Sequence, residues 1–208
     1  GEIAAAAAAG VMTRENGLRL CAARGTLMVQ HCRPGAMLAV FLASDRLEAL
    51  LGPLPKDCAV AAINGPAETV LSGDAAALDE LAQRLQRRDV RCQRLQVSHA
   101  FHSPMLTPML APFRRFVERL PLQPARLPLF ACRPEGSTAA VEQPEHWLRH
   151  VAEPVHFATA LGGAAAQADV LVEIGPSPVL LALAARALPR PMVAIPSLRA
   201  GMPERAQL

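Results

Sequence analysis

Apolar stretches along the chain read in turn as helices and as strands, which predicts an α/β fold. The first stretch, residues 2–9, is rich in alanine and predicts a helix that can lie close to a neighbouring backbone. Thr13 stands where the N-cap of a second helix belongs. In that helix Leu20, Arg24 and Met28 fall four residues apart, which places an arginine on an apolar face.

An arginine on an apolar helix face admits two interpretations. Arg24 either reaches water or pairs with an internal carboxylate, or it stays open and grips a carboxylate ligand with two of its nitrogens. The pattern alone leaves both open.

Residues 35–97 predict a compact unit of their own. The order of elements is strand, helix, strand, strand, helix, strand, which is the ferredoxin-like arrangement, and both ends lead back into the rest of the chain. Ser44 and Asp74 are the expected helix caps, and Asn64-Gly65-Pro66 is the expected turn. The strands are expected over 36–43, 58–63, 68–71 and 90–97.

Basic side chains are concentrated in the second half of this unit. They are interpreted either as a solvated face or as a docking surface for an acidic partner. The residues are Arg84, Arg87, Arg88, Arg91 and Arg94.

The stretch 98–105 carries the most chemistry. His99 and His102 flank Phe101, and Ser103-Pro104 is typical of a helix start, so His102 is expected where a strand gives way to a helix. Catalytic side chains gather at such junctions, although a lone histidine there is more often a surface or capping residue. Beyond it we expect an amphipathic helix, strands over 127–132, 170–174 and 192–195, a loop over 133–137 and a helix ending at 188.

Two histidine pairs raise the question of a metal site. His146 and His150 stand four apart on a predicted helix, but Trp147 takes the place of the glutamate of a zinc-protease motif. His99 and His102 have no third ligand nearby. We therefore expect no metal.

Composition limits the remaining classes. The 208 residues are 51% hydrophobic with a formal net charge of +3, too small a charge to argue for a nucleic-acid partner. The five cysteines lack disulfide or zinc spacing, which favours a reducing cytoplasm, and no apolar run is long enough for a membrane helix.

The residues around His102 resemble the His-Ala-Phe-His motif of acyltransferase domains from modular polyketide synthases, relatives of the malonyl-CoA:acyl-carrier-protein transacylases. Further blocks resemble the same family in the same order, so the resemblance extends from residue 1 to about residue 198. The blocks are Gly1-Glu2-Ile3-Ala4-Ala5-Ala6, Arg24-Gly25-Thr26-Leu27-Met28, Ala61-Ala62-Ile63-Asn64-Gly65-Pro66, Ser72-Gly73-Asp74, Glu153-Pro154-Val155 and Glu173-Ile174-Gly175-Pro176-Ser177-Pro178-Val179-Leu180.

The resemblance implies a fold: an α/β-hydrolase-like larger domain, incomplete at its N-terminus, formed by residues 1–34 and 98–198. A ferredoxin-like α+β subdomain over 35–97 is inserted into it, and 199–208 would be a linker to another domain. The nucleophilic serine of the family's Gly-His-Ser-x-Gly-Glu elbow would lie two residues before Gly1.

The resemblance also implies a reaction and its residues. A malonyl unit would pass from coenzyme A to the serine and then to the phosphopantetheine thiol of an acyl carrier protein. His102 would be the general base, oriented by the backbone carbonyl of His150, where the family usually has Gln or Asn. Arg24 would hold the malonyl carboxylate. The other substrate-binding residues would be Met28, Asn64, His99 and Phe101.

Partners and alternatives follow from the same resemblance. The expected partners are malonyl-CoA, an acyl carrier protein and neighbouring polyketide synthase domains, with no bound cofactor, nucleic acid or membrane. The family's malonyl-selective members carry His-Ala-Phe-His, so Phe101 is expected to exclude a 2-methyl branch. A non-catalytic piece, a carrier-docking module and a serine hydrolase remain alternatives, although a hydrolase has no use for an arginine clamp.

Overall fold

The computed structural model describes residues 1–136, 140–199 and 201. Ser137, the last residue of the predicted loop, and most of the predicted linker therefore lie outside the described residues. The helices are α1 Glu2–Ala8, α2 Arg14–His31, α3 Ser44–Leu51, α4 Ala75–Gln86, α5 Thr107–Val117, α6 Pro144–Ala152, α7 Phe157–Ala165 and α8 Val179–Ala187. The strands are β1 Ala36–Val40, β2 Ala59–Gly65, β3 Glu68–Gly73, β4 Cys92–Arg94, β5 Val170–Glu173 and β6 Val193–Pro196. The predicted α/β class is confirmed.

Strands β1 to β4 form one antiparallel sheet in the spatial order β2-β3-β1-β4. Strand β1 pairs with β3 with Leu38 opposite Leu71, and with β4 with Ala39 opposite Gln93. With α3 and α4 as its crossovers, this is the predicted ferredoxin-like order of elements. Strand β4 is shorter than expected because the chain leaves the ladder after Arg94, where only the Leu95 N–H still reaches the Met37 carbonyl.

The central strand β1 is buried along its whole length, since both faces of the sheet are covered. The leucines of α3 and α4 cover one face and form its core with β1 and β3. On the other face Met37, Ala61 and Val70 pack near Phe101, which belongs to the stretch around His102. This face of the sheet therefore packs against the stretch that carries His102.

The two ends of segment 35–97 meet at one point. The Gly35 N–H donates to the Ser98 carbonyl at 3.2 Å. A Cβ on Gly35 would lie 2.6 Å from the Cβ of Ala100, so only glycine allows this approach. This crossing agrees with an inserted unit, while the domain boundaries at residues 34/35 and 97/98 stay predictions.

Two of the expected helix caps are confirmed and one is wrong. Thr13 accepts the Asn16 N–H at 3.1 Å, and Asp74 accepts the N–H groups of α4. Ser44 is instead the first residue of α3, whose cap position is Ala43 and has no side-chain hydrogen bond.

Helices α1, α2, α5 and α6 share a second apolar core. The stripe predicted for α5 is confirmed, since Met109, Phe113 and Val117 are buried there beside Trp147 of α6. The strand expected over 127–132 is wrong: no strand forms in this segment of the described chain. The backbone of its last residue, Cys132, forms hydrogen bonds outside any strand. The Cys132 N–H donates to the Glu2 carboxylate, and the Cys132 carbonyl accepts the His156 N–H.

Strands β5 and β6 form a parallel pair with Val170 opposite Val193. The predicted strands here are confirmed, although Val172 and Val193 remain largely exposed. Within the described residues, no helix combines the length and the apolar character needed to cross a membrane.

Candidate functional site

His102 lies in a strained turn rather than at a strand end. Its φ is 58°, a left-handed conformation that is uncommon for residues other than glycine and that clusters at functional sites. Buried Ser103 fixes the turn by donating to the Ala100 carbonyl at 2.7 Å and accepting the Met105 N–H at 3.3 Å. The predicted Ser103-Pro104 start is confirmed, as Pro104 opens a 3₁₀ turn that leads into α5.

A backbone carbonyl sets the tautomer of His102. The Nδ1 atom lies 2.9 Å from the Glu153 carbonyl oxygen. Because a carbonyl can only accept, Nδ1 carries the proton and Nε2 keeps its lone pair free. His102 is therefore arranged to accept a proton at Nε2.

The identity of this carbonyl corrects the sequence analysis, which assigned it to residue 150. His150 lies inside the last turn of α6, where carbonyls point along the helix axis. Glu153 is the first residue past the helix and is extended, with a ψ of 162°, so its carbonyl can turn toward the ring. The side chain of His150, not its carbonyl, is what approaches His102, with ring centroids 6.4 Å apart.

A cavity of about 340 Å³ opens beside His102. Its wall combines the start of α1, one face of α2, the end of α6 and the segment after it. The polar groups that line it are Glu2, Arg24, His102, Arg133, His150 and Glu153.

Arg24 is a charged group in this wall that has no counter-ion among the described residues. Among the described residues no carboxylate lies within ion-pair distance of its guanidinium, and burial lowers the pKa of Arg24 below its ordinary value. An unpaired cation that is largely removed from water is costly, which favours the second interpretation of Arg24 as an open binding group.

Burial is also the main cause of the unusually low pKa of His102. Burial, together with the positive charge of Arg24, lowers the pKa of His102 to about 4, while the hydrogen bond to the Glu153 carbonyl and the charge of Glu2 act in the opposite direction. The ring is therefore neutral, and able to accept a proton, throughout the physiological pH range.

A buried carboxylate lies behind the two histidines. Glu2 bonds to His146 Nε2 at 2.7 Å and accepts the Cys132 N–H at 2.9 Å. Burial alone would raise the pKa of Glu2, but these contacts and the nearby His150 lower it. His146 in turn stacks on His150 at a centroid distance of 6.5 Å. Within the described chain, no three potential ligands come together as a metal site.

An ion-pair network anchors the segment that carries the carbonyl. Buried Arg133 binds the Glu153 carboxylate and lies 3.4 Å from Glu135. The half-exposed Arg149 binds the same two carboxylates at 2.9 and 3.0 Å. On the other side, Val155 exchanges two backbone hydrogen bonds of 2.8 Å with the edge strand β2. These contacts hold the Glu153 backbone in place under the His102 ring.

A second cavity, of about 380 Å³, adjoins the first across Arg24. It is mainly apolar and is lined by Met28, His99 and Phe101. His99 is buried, with Nδ1 2.9 Å from the Ser98 hydroxyl. The structure thus brings six of the seven predicted site residues together along the two cavities, while their roles stay predictions.

Asn64 is the exception among the predicted substrate-binding residues. It lies in β2 and donates to the Glu68 carboxylate at 3.4 Å. The residues that line the two cavities do not include it. Asn64 therefore lies apart from the other predicted residues, and its role in substrate binding stays a prediction.

Four of the five basic side chains of the small unit have local partners. Arg84 and Arg88 donate to the carbonyls that end α3, which satisfies groups the helix leaves open. Arg91 stacks 3.6 Å from the ring centre of Phe41, and Arg94 pairs with Asp79. These contacts weaken the interpretation of the cluster as a docking surface.

Sequence reasoning missed the groups that position His102. Glu2, Arg133 and the Glu153 carbonyl act only through contacts distant in sequence, the longest between Glu2 and His146. A signal did exist, since the i,i+4 pair His146 and His150 marks one helix face. It was considered only for metal binding.

Three features define the class of this site. They are the proton acceptor His102 oriented by a backbone carbonyl, the unpaired Arg24, and the cavity beside both. Such a site is typical of enzymes that transfer or cleave acyl groups bearing a carboxylate. Comparison with known proteins makes the class specific: residues 1–205 match the acyl transferase domain family. The chain belongs to that family.

Similar proteins extend this result. The chain is 40% identical over 215 residues to polyketide synthase GfsB of Streptomyces halstedii, a match that covers 98% of this chain and 4% of GfsB. It resembles the crystal structure of the acyltransferase domain from the second module of the salinomycin polyketide synthase, with 40% identity and a TM-score of 0.93. That match covers all of this chain and 49% of the other. The acyltransferase domain of SpnD, solved in complex with 2-(pent-4-yn-1-yl)malonyl, is 32% identical with a TM-score of 0.88, over 98% of this chain and 50% of that one. The chain thus spans about half the length of these two solved structures.

Proposed function

We propose that this chain forms the greater part of the active site of a polyketide synthase acyltransferase that loads malonyl units. The observation that supports the proposal most directly is Arg24, a partly buried cation without a described counter-ion, on the wall of the cavity beside His102. A cavity with this charge pattern favours an acyl group that ends in a carboxylate.

The first step is acylation of a serine that the family resemblance puts two residues ahead of Gly1. Gly1 itself lines the cavity, so a serine at that position would lie close to His102. His102 Nε2 takes the proton as the serine oxygen attacks the thioester carbonyl. The carbon–sulfur bond then breaks, and the leaving thiolate of coenzyme A takes that proton from His102.

The second step transfers the acyl group to the phosphopantetheine thiol of an acyl carrier protein. His102, neutral again, takes the thiol proton while the sulfur attacks the acyl-serine, and it returns this proton to the serine oxygen. The carrier protein and neighbouring synthase domains are the proposed partners. Coenzyme A enters only as part of the substrate.

The preferred extender unit is malonyl rather than methylmalonyl. Phe101 lines the second cavity beside Arg24, one residue from the base. Its ring occupies space that a 2-methyl branch would need. Excluding one methyl group is worth about 1–3 kcal/mol, so the preference is strong without being absolute.

The proposal is tested in a polypeptide that carries a family N-terminal segment ending in Gly-His-Ser-x ahead of Gly1, called the serine-bearing polypeptide below. Transfer of malonyl, methylmalonyl and acetyl groups from coenzyme A to a carrier protein is measured by intact-protein mass spectrometry. Malonyl transfer is expected to be fastest. In Arg24→Ala it should fall roughly tenfold to a hundredfold, as expected for a lost charge-assisted contact, while acetyl transfer changes little.

The outcomes separate the alternatives. Equal losses of malonyl and acetyl transfer in Arg24→Ala would mean that Arg24 has a structural role. Hydrolysis without transfer would favour a hydrolase. Methylmalonyl loaded as fast as malonyl would remove Phe101 as the basis of selection.

A further inference from the structure

The imidazole of His150 is the group in the cavity wall that the proposed reaction does not use. Its ring packs against those of Trp147, His146 and His102, at centroid distances of 5.6, 6.5 and 6.4 Å. Three neighbouring rings therefore restrict its orientation. The ring lines the same cavity as Arg24 and His102.

The ring nitrogens of His150 are open to that cavity. None of the described residues forms a hydrogen bond with them, whereas His146 next to it bonds to Glu2. In that part of the chain no buried side-chain nitrogen is left without a partner, so the unpartnered nitrogens of His150 must be accessible. The accessible space is the cavity, which makes His150 an unused hydrogen-bonding group beside the open arginine.

His150 can offer a hydrogen bond without adding charge. Burial, with the positive charge of Arg24, holds the pKa of His150 well below its ordinary value, so the ring is neutral and has one N–H donor. A carboxylate has room for about four hydrogen bonds, of which one arginine can supply two. A cationic donor in this place would disfavour the protonated form of His102, which must carry the proton during the reaction.

We infer that His150 is a specificity-determining residue whose neutral N–H binds the acyl carboxylate together with Arg24. The inference rests on the proposed function, because it needs a carboxylate in this cavity. Because a glutamine side chain also carries an N–H donor, it should replace His150 with little loss.

Binding to the 208-residue chain itself tests the inference, because binding needs no serine. Isothermal titration calorimetry measures the Kd values of malonyl-CoA and acetyl-CoA for the unaltered chain, His150→Phe and His150→Gln. His150→Phe keeps the ring and removes both nitrogens. It should raise the Kd of malonyl-CoA roughly threefold to tenfold, as for one lost hydrogen bond, and leave that of acetyl-CoA unchanged. His150→Gln should stay within about twofold for both ligands.

Two controls separate this inference from the proposed function. His31→Phe makes the same substitution at the exposed end of α2, at a residue that lines neither cavity, and should change neither Kd. Arg24→Met should weaken malonyl-CoA binding more than His150→Phe does. If it does not, or if the unaltered chain does not bind malonyl-CoA, both the proposed function and the inference fail.

If Arg24→Met weakens malonyl-CoA binding but His150→Phe does not, the inference alone is wrong. An equal loss for acetyl-CoA, or a loss in His150→Gln as large as in His150→Phe, would also overturn it, since a packing role moves both ligands alike. Should the phenyl ring prevent folding, as judged by circular dichroism, His150→Leu takes its place with the same expected ratio.

Discussion

Two arginines line the same cavity in opposite electrostatic situations. Arg133 has 3% of its side chain exposed and is flanked by the carboxylates of Glu135 and Glu153. Arg24 is largely enclosed as well, yet no described carboxylate lies within ion-pair distance of it. The charge of Arg133 is thus balanced by two carboxylates, whereas the charge of Arg24 is balanced by none that is described.

The difference separates what supports the site from what it binds. A buried charge with its partners in place is stable, whereas an isolated one is maintained only at a cost in free energy. Unpaired charges of this kind are tolerated mainly where a ligand supplies the missing partner. The comparison predicts opposite consequences for removing the two guanidinium groups.

The two arginines also influence His102 by different routes. Arg133 holds the carboxylate of Glu153, whose carbonyl orients the imidazole. Arg24 acts through space, since its positive charge disfavours the protonated ring. One therefore determines the position of His102, and the other influences its pKa.

The largest expected effect is that of Arg133→Met on stability. The substitution removes the buried cation from the carboxylates of Glu135 and Glu153, which then keep only Arg149 as a partner. Because both carboxylates are 41% exposed and can be hydrated again, we expect a loss of about 2 kcal/mol, less than the roughly 3–5 kcal/mol of a fully buried pair. Urea denaturation of the 208-residue chain measures the free energy of unfolding.

Arg149→Met is the matched control, because Arg149 binds the same carboxylates from a side chain that is 39% exposed. It should cost no more than about 1 kcal/mol. If the two variants lose the same free energy, burial is not what distinguishes Arg133.

Arg24→Met should have a smaller effect of opposite sign. Replacing an unpaired, largely buried cation by an apolar side chain of similar length removes a desolvation penalty, so we expect a gain of about 1 kcal/mol. The same denaturation series measures it. A loss comparable to that of Arg133→Met would show that Arg24 is compensated in solution and would end the comparison.

The sequence was sufficient for features that depend on local pattern. The order of elements in residues 35–97, the caps Thr13 and Asp74 and the apolar face of α5 all follow from spacing within one or two turns. The resemblance to known acyltransferases also singled out Arg24 and His102. It could not show that Arg24 lacks a partner, because that depends on every element packed around it.

The errors share a physical cause, which is that backbone groups carry no identity in the sequence. The carbonyl that binds His102 was assigned to residue 150, although only a residue beyond the end of α6 has a carbonyl free to turn. The segment 127–132 looked like a strand from its apolar residues, but backbone pairing depends on a neighbour.

The smallest expected effect is a change in the pH dependence of transfer. The base must be neutral to accept a proton, and the pKa of His102 is about 4, so kcat/KM for acetyl-CoA should stay level from neutral pH down to about pH 5 and then fall. In Arg24→Met the imidazolium loses a repelling neighbour. Its pKa therefore rises, and the acid limb should move to higher pH. Acetyl-CoA is the substrate of choice because it does not need the arginine for binding. The measurement uses the serine-bearing polypeptide between pH 4 and pH 8, a range set by the His102 pKa of about 4 and its ordinary value of 6.5.

Glu2→Gln should shift the acid limb of the pH profile in the opposite direction in the same assay. The Glu2 carboxylate favours protonated His102, so removing its charge should lower the pKa and move the acid limb to lower pH. A structural disturbance of the cavity would lower kcat/KM at every pH without moving the limb. If both substitutions shift the limb in the same direction, the charges of Arg24 and Glu2 are not what sets the basicity of His102, and the through-space half of the comparison is wrong.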